Sequence, residues 1–227
     1  MSDEKVSMSG HPGAVLWDLD GTLLDSEPLW RKIKLDFLQQ IGLELSPETI
    51  DATIGIHASV WIREWTALAG ITLDLEAAHE AILSRMVDGI SPEMTTDGAK
   101  YLLEHIASLG VPQALVSSSS RRLVDAGMAV LGDCFELSVA AQDVTNLKPD
   151  PEAYLLAAQR LGVSPGVCLV IEDSRTGARA GVAAGCRVLL VGNYMQGEVA
   201  GVWGVARSLL HLDPGELFGT AGRPAGS

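Results

Sequence analysis

Residues 15–30 read VLWDLDGTLLDSEPLW. A hydrophobic run leads into two acids, Asp18 and Asp20, with one residue between them, and Gly21-Thr22 follows. In an extended chain, residues i and i+2 project to the same side, so the two carboxylates can face one site. Two such charges about 4 Å apart repel by roughly 4 kcal/mol at an effective dielectric near 20. Either they cap a turn by Asx hydrogen bonds, or a cation sits between them. An EF-hand calcium loop is excluded, because it needs an acid or amide at position 22 and glycine at 23, where Thr22 and Leu23 stand.

The rest of the chain supplies the context. Short apolar runs recur at 14–17, 113–116, 137–141, 167–171 and 187–191. Near-continuous hydrophobicity of this kind predicts strands buried on both faces, as in a parallel sheet. Between them, 97–109, 121–131, 151–161 and 176–184 carry apolar residues at helical spacing, with Gly162 and Gly185 at expected C-caps. The fold class is therefore α/β: a Rossmann-like parallel sheet with helices on both faces. One segment breaks the rhythm. From Glu27 to Pro92 there are helical patterns (29–41, 59–69, 75–90) and no strand, which predicts an inserted α-helical cap whose core includes Trp61 and Trp65. The expected organisation is a disordered tail at 1–12, a core of 13–26 and 93–212, a cap of 27–92 and a flexible tail at 213–227.

Composition narrows the function. The 227 residues carry 29 acidic against 16 basic side chains, a net charge of −13. So acidic a chain lacks the basic face that nucleic acid or an anionic membrane requires, and a small anionic substrate would need local cationic help. Three cysteines without CxxC spacing argue against a disulfide framework or zinc site and read as small buried hydrophobes in a reducing compartment. The first twelve residues have no apolar run of the signal-peptide kind, and no apolar run is long enough to span a bilayer. A cytoplasmic protein is expected, with a monomer as the default. There is no G-x-x-x-x-G-K-[ST] or G-x-G-x-x-G motif.

In open parallel sheets ligands bind beyond the carboxyl ends of the strands, where strand order reverses. Strand one is followed there by Asp18 and Asp20, strand two by Ser117 and Ser118, strand three at a distance by Lys148, and strand four by Glu172 and Asp173. Taken singly, these are a turn, an N-cap cluster, a solvated lysine and a helix start. Taken together and in order, they predict one site. Mg2+ prefers oxygen ligands and bridges carboxylates to phosphate. With it bound, one carboxylate could attack phosphorus and another could shuttle the proton.

The ordered set DLDGT, LVSSS, LKPDP and IEDS resembles the haloacid dehalogenase superfamily of phosphohydrolases across roughly 14–192. The helical insertion, with LLDSEPLW and KPDPEAY, is similar to the β-phosphoglucomutase-like branch with its small helical cap. The resemblance implies Asp18 as nucleophile and metal ligand and Asp20 as general acid/base with its backbone carbonyl on the metal. It further implies phosphoryl binding by Ser117 and the Ser118 backbone, and Lys148 bridging nucleophile and phosphate. Asp173 would be a direct metal ligand, and Glu172 would act directly or through water. In this family, cap closure excludes water and selects substrate. Haloacid dehalogenases proper lack a counterpart of Asp20, so dehalogenation is not expected. The branch's mutases carry a histidine where Trp30 stands and an arginine where Ala58 stands. Without those groups, hydrolysis of a small phosphorylated metabolite, with sugar phosphates among the candidates, is expected ahead of mutase chemistry. A non-catalytic phosphometabolite-binding protein is a third reading, disfavoured because a binder needs neither nucleophile nor Asp20. His57, in the cap, is the nearest polar candidate for substrate contact.

Overall fold

The computed structural model describes residues 12–54, 56–195 and 197–218. In chain order the main elements are β1 (Ala14–Trp17), α1 (Glu27–Ile41), α2 (Pro47–Asp51), α3 (Ala58–Leu68), α4 (Leu75–Gly89), α5 (Ala99–Ser108), β2 (Gln113–Val116), α6 (Arg121–Leu131), β3 (Leu137–Val139), α7 (Glu152–Leu161), β4 (Cys168–Glu172), α8 (Arg175–Ala183), β5 (Arg187–Val191), β6 (Gly204–Ala206) and α9 (Pro214–Phe218). Among the described residues six strands form one parallel sheet in the order β3-β2-β1-β4-β5-β6. Strand order reverses between β1 and β4, which puts the switch point beside Asp18 and Glu172.

The sheet is buried on both sides for the reason its composition foretells. Leu16, Val116, Val170 and Val188 join a cluster with Ala153, Tyr154, Ala157 and Ala158 of α7 and Ala178 and Ala180 of α8. Small alanines on the helices let the backbones approach the sheet closely. On the opposite face, the Gln113 amide accepts from the Trp17 indole at 2.9 Å and donates to the Leu103 carbonyl of α5 at 3.0 Å. A buried amide is tolerable there because both its ends are bonded. Each fully buried leucine, isoleucine or valine contributes about 1.5–3 kcal/mol against exposure.

The chain divides into two compact units, 26–91 and the remainder. In the helical unit, α4 packs against α1 and α3. Phe37 and Trp61 meet edge-on with centroids 5.7 Å apart, and Trp61 lies 4.9 Å from Trp65. Both tryptophans are buried. Helix α1 stops where Gly42 takes a left-handed φ of 67°, and α4 starts where Asp74 accepts from the Glu76 and Ala77 N–H groups. This unit also holds α2, which is too short to show periodicity.

Three further differences from the sequence reading stand out. β6 is a three-residue edge strand, Gly-Val-Ala, with too little apolar content to register as one. Residues 214–218 fall in the stretch expected to be a flexible tail, yet they form α9 with Leu217 buried. Position 12, placed in the amino-terminal tail, is buried. The other tail residues, 1–11 and 219–227, lie outside the described residues. Among the described residues no helix is long and apolar enough to cross a membrane.

Candidate active site

Asp18 follows β1 directly. Its N–H donates to the Ile171 carbonyl at 3.0 Å, so it continues the pairing with β4 and its carboxylate is carried to the switch point. Leu19, Leu23 and Leu24 are buried, and the Gly21 N–H donates to the Leu24 carbonyl at 2.8 Å. The apolar side chains thus anchor a turn that holds its polar residues at the end of β1. Gly21 has φ 87°, and a Cβ there would overlap the Asp173 carboxylate. Glycine is required on both counts.

Lys148 lies at the centre, its side chain only 5% exposed. Its ammonium donates to Asp18 Oδ1 at 2.6 Å, to Glu172 Oε1 at 2.7 Å and to the Val116 carbonyl at 2.9 Å. Three donors meet three acceptors, so the buried cation is fully satisfied. Burial alone would lower its pKa, but Asp18 and Glu172 outweigh that and raise it. The Lys148 ammonium also sits 4.7 Å from the centre of the Tyr154 ring.

Glu172 is the last residue of β4 and fully buried. Tyr154 Oη donates to its Oε1 at 2.8 Å, while the Ser174 N–H and Oγ donate to Oε2 at 3.1 and 2.9 Å. Ser174 also caps α8, accepting from the Gly177 N–H at 2.9 Å. A Cβ on Gly177 would overlap the Glu172 carboxylate. Asp173 accepts from Thr22 Oγ1 at 3.2 Å, and Tyr194 Oη donates to its backbone carbonyl at 2.6 Å. Burial and the charge of Glu172 keep the Tyr154 phenol well above its ordinary pKa, and therefore protonated.

Asp18, Glu172 and Asp173 each offer an oxygen within 4.8 Å of the others. One lysine faces three carboxylates, and the electrostatics record the imbalance. Burial, reinforced by Glu172 and Asp173, raises the Asp18 pKa well above the carboxylate range despite Lys148. Burial and Glu172 push Asp173 up to about 7. All-oxygen ligands with surplus negative charge are the donor set of a hard divalent cation, so these residues fit the metal that the sequence motifs imply.

Asp20 turns elsewhere. Its Oδ2 accepts from Ser119 Oγ at 2.6 Å and lies 3.5 Å from Ser117 Oγ, and the Ser119 N–H donates to Ser117 Oγ at 2.9 Å. Its carboxylate is thus outside the three-acid cluster and beside the serine loop, leaving its backbone carbonyl as the ligand that the resemblance implies. Ser118 is half-buried in the same loop. His57 belongs to the helical unit, where it caps α3. Its Nδ1 is 2.8 Å from Ser59 Oγ, and its ring is 5.2 Å from that of His79. Burial and His79 hold its pKa below the usual histidine value.

Ser119, Tyr154 and Thr22 join the site without having been singled out in the sequence. Ser119 carried a usable signal, since it stands two residues from Ser117 and shares its side of an extended segment. Tyr154 sits in the buried stripe of α7, where periodicity alone reads as core.

The family model for haloacid dehalogenase-like hydrolases matches residues 12–185. This chain belongs to that family. Among relatives of this hydrolase, hexitol phosphatase A of Escherichia coli (strain K12) is 37% identical over 180 residues, covering 78% of this chain and 81% of that protein. A fructose-1-phosphate phosphatase from the same strain is 34% identical over 180 residues, covering 75% and 92%. The crystal structure of a β-phosphoglucomutase from Clostridium difficile superposes with a TM-score of 0.73, covering 89% of this chain and 93% of that one. At 23% identity that likeness speaks for the fold.

Proposed function

We propose that this hydrolase is a Mg2+-dependent phosphomonoesterase acting on a small phosphorylated metabolite through a phosphoaspartate on Asp18. The observation that carries the reading is the meeting of Asp18, Lys148, Glu172 and Asp173 at the β1/β4 switch point, with Asp20 held beside the Ser117 loop.

In the first step an Asp18 oxygen attacks phosphorus. The bond from phosphorus to the ester oxygen breaks, and the Asp20 carboxyl gives its proton to the departing alcohol. In the second step Asp20 takes a proton from water, the water oxygen attacks phosphorus, and Asp18 is released with inorganic phosphate. Lys148 neutralises Asp18 and faces the phosphoryl oxygens, while Ser117 Oγ and the Ser118 N–H donate to them. Asp18, Asp173 and the Asp20 carbonyl would hold Mg2+, which supplies positive charge to carboxylates that otherwise resist ionising together. The relatives that act on hexitol and fructose phosphates support a sugar phosphate or polyol phosphate as substrate. Trp30 and Ala58 stand where the branch's mutases carry their histidine and arginine, which favours transfer to water over transfer to a second substrate.

The test is phosphate release across a panel of sugar and polyol phosphates, with Mg2+ and again with chelator. Release that needs Mg2+ and falls on the order of 10³-fold or more in Asp18→Asn, at unchanged circular dichroism, is expected. Near-wild-type turnover by Asp18→Asn would remove the nucleophile. Interconversion of hexose phosphate isomers with a bisphosphate activator would replace the hydrolase reading with a mutase.

A further inference from the structure

Two hydroxyls of the loop after β2 reach the Asp20 carboxyl, and they are engaged differently. Ser117 Oγ lies 3.5 Å from Asp20 Oδ2, accepts from the Ser119 N–H at 2.9 Å, and faces the phosphoryl oxygens in the reading above. Ser119 Oγ donates to the same Oδ2 at 2.6 Å, a short O–H···O bond. We propose that Ser119 is a positioning residue for proton transfer: its hydroxyl holds the Asp20 carboxyl beside Ser117, where the ester oxygen departs and water later enters. This deepens the phosphomonoesterase reading above and rests on it.

The donor stands on a fixed frame. The Ser117 N–H donates to the Val139 carbonyl and the Ala141 N–H to the Ser119 carbonyl, both at 3.0 Å, so the loop is tied to the end of β3 at both residues. Ser120 follows as the N-cap of α6, and its carbonyl accepts from the Val124 N–H at 3.0 Å. Asp20 is half-buried, and its carboxyl has two torsions whose freedom must be lost before it can serve one point in space. A hydroxyl on a rigid loop fixes them before substrate arrives. It also sorts the two oxygens. In the protonated acid, the oxygen that accepts from Ser119 is the carbonyl-type oxygen, so the mobile proton belongs to Oδ1. In the first step the Oδ1–H bond breaks as the ester oxygen takes the proton and keeps the electron pair of the broken P–O bond. In the second step Oδ1 takes a proton from the attacking water. The need for the first transfer depends on the leaving group. An alkoxide departs poorly without a proton, whereas p-nitrophenolate departs well without one.

The experiment compares wild type with Ser119→Ala on two esters in the presence of Mg2+: fructose 1-phosphate, an alkyl ester, and p-nitrophenyl phosphate. Both are read in single turnover with enzyme in excess, as fructose and as p-nitrophenol released, so that only the first step is timed. In Ser119→Ala, fructose release is expected to slow about 30-fold and p-nitrophenol release by about threefold or less, a change in their ratio of about tenfold. A merely structural role would slow both alike. Ser119→Thr keeps the hydroxyl and is expected to return the ratio to within about twofold of wild type. Ser119→Cys, close in size but a weak donor, is expected to fall between them, and it carries the test if the alanine variant folds poorly. Equal losses on both esters, or no loss on fructose 1-phosphate, overturn Ser119's role and leave the hydrolase reading of an active wild type standing. A wild type that releases neither product overturns both.

Discussion

The carboxyl edge of the sheet and the interior of the helical unit are both buried, but they are held by opposite means. At the sheet edge, Asp18, Ser117 and Glu172 are buried around the Lys148 side chain, whose ammonium donates to both acids. In the helical unit the buried residues include Ile33, Phe37, Trp61, Ile62, Trp65, Ile82 and Met86. Among the described residues the one buried charge there, Lys34, reaches out to half-exposed Glu27 at 3.5 Å. Desolvating a charge costs several kcal/mol unless its partner is in place, whereas apolar packing tolerates exchange of one hydrophobe for another of similar volume. Charged sites are therefore rigid in sequence and chemistry. An apolar helical unit constrains its side chains by volume more than by identity.

The largest break in that contrast comes from Lys148→Met. It leaves two buried carboxylates facing Asp173 without their cation. A loss of about 3–5 kcal/mol in urea unfolding is expected, together with a fall in phosphate release on the order of 10²–10³-fold. Wild-type stability would mean that the acids are neutral in the resting fold. Next comes Trp61→Ala, a cavity in the helical unit. A cost of about 3–5 kcal/mol is expected, with the Mg2+ affinity of the sheet unit unchanged within about twofold. A collapse of Mg2+ binding would show that the two units are energetically one.

The smallest effect is a pH dependence carried by Asp173 at the sheet edge. Asp173 is pushed up to about 7 from 3.8. A carboxyl with a raised folded-state pKa holds more protons folded than unfolded between those values, so stability falls as pH rises through that window. In chelator, the Tm is expected to drop by a few degrees from about pH 5 to about pH 7, and Mg2+ to restore it at the upper end. A level or rising Tm in chelator would separate Asp173 from the cation site.

Much of this was legible in the residues. The five longer apolar runs became β1 to β5 within two residues at either end, because a strand buried on both faces must be apolar throughout. Asp18, Ser117 and Glu172 could be placed at strand ends, and Lys148 in the loop beyond strand three, without coordinates. β6, α2 and α9 were not visible, since three to five residues carry no period to detect. The roles of Tyr154 and Gly177 were hidden for a different reason: a buried tyrosine and a helical glycine look like packing until their distance to a carboxylate is known.

Local chemistry along the chain was enough to name the fold class, the strand ends and the acids that converge, since alternation of apolar runs and placement of charge are written residue by residue. Which oxygen accepts from which donor was decided only by folding. Lys148 meets Asp18 across 130 positions of sequence and Glu172 across 24, and hydrogen bonding depends on ångström distances that no spacing along a chain encodes.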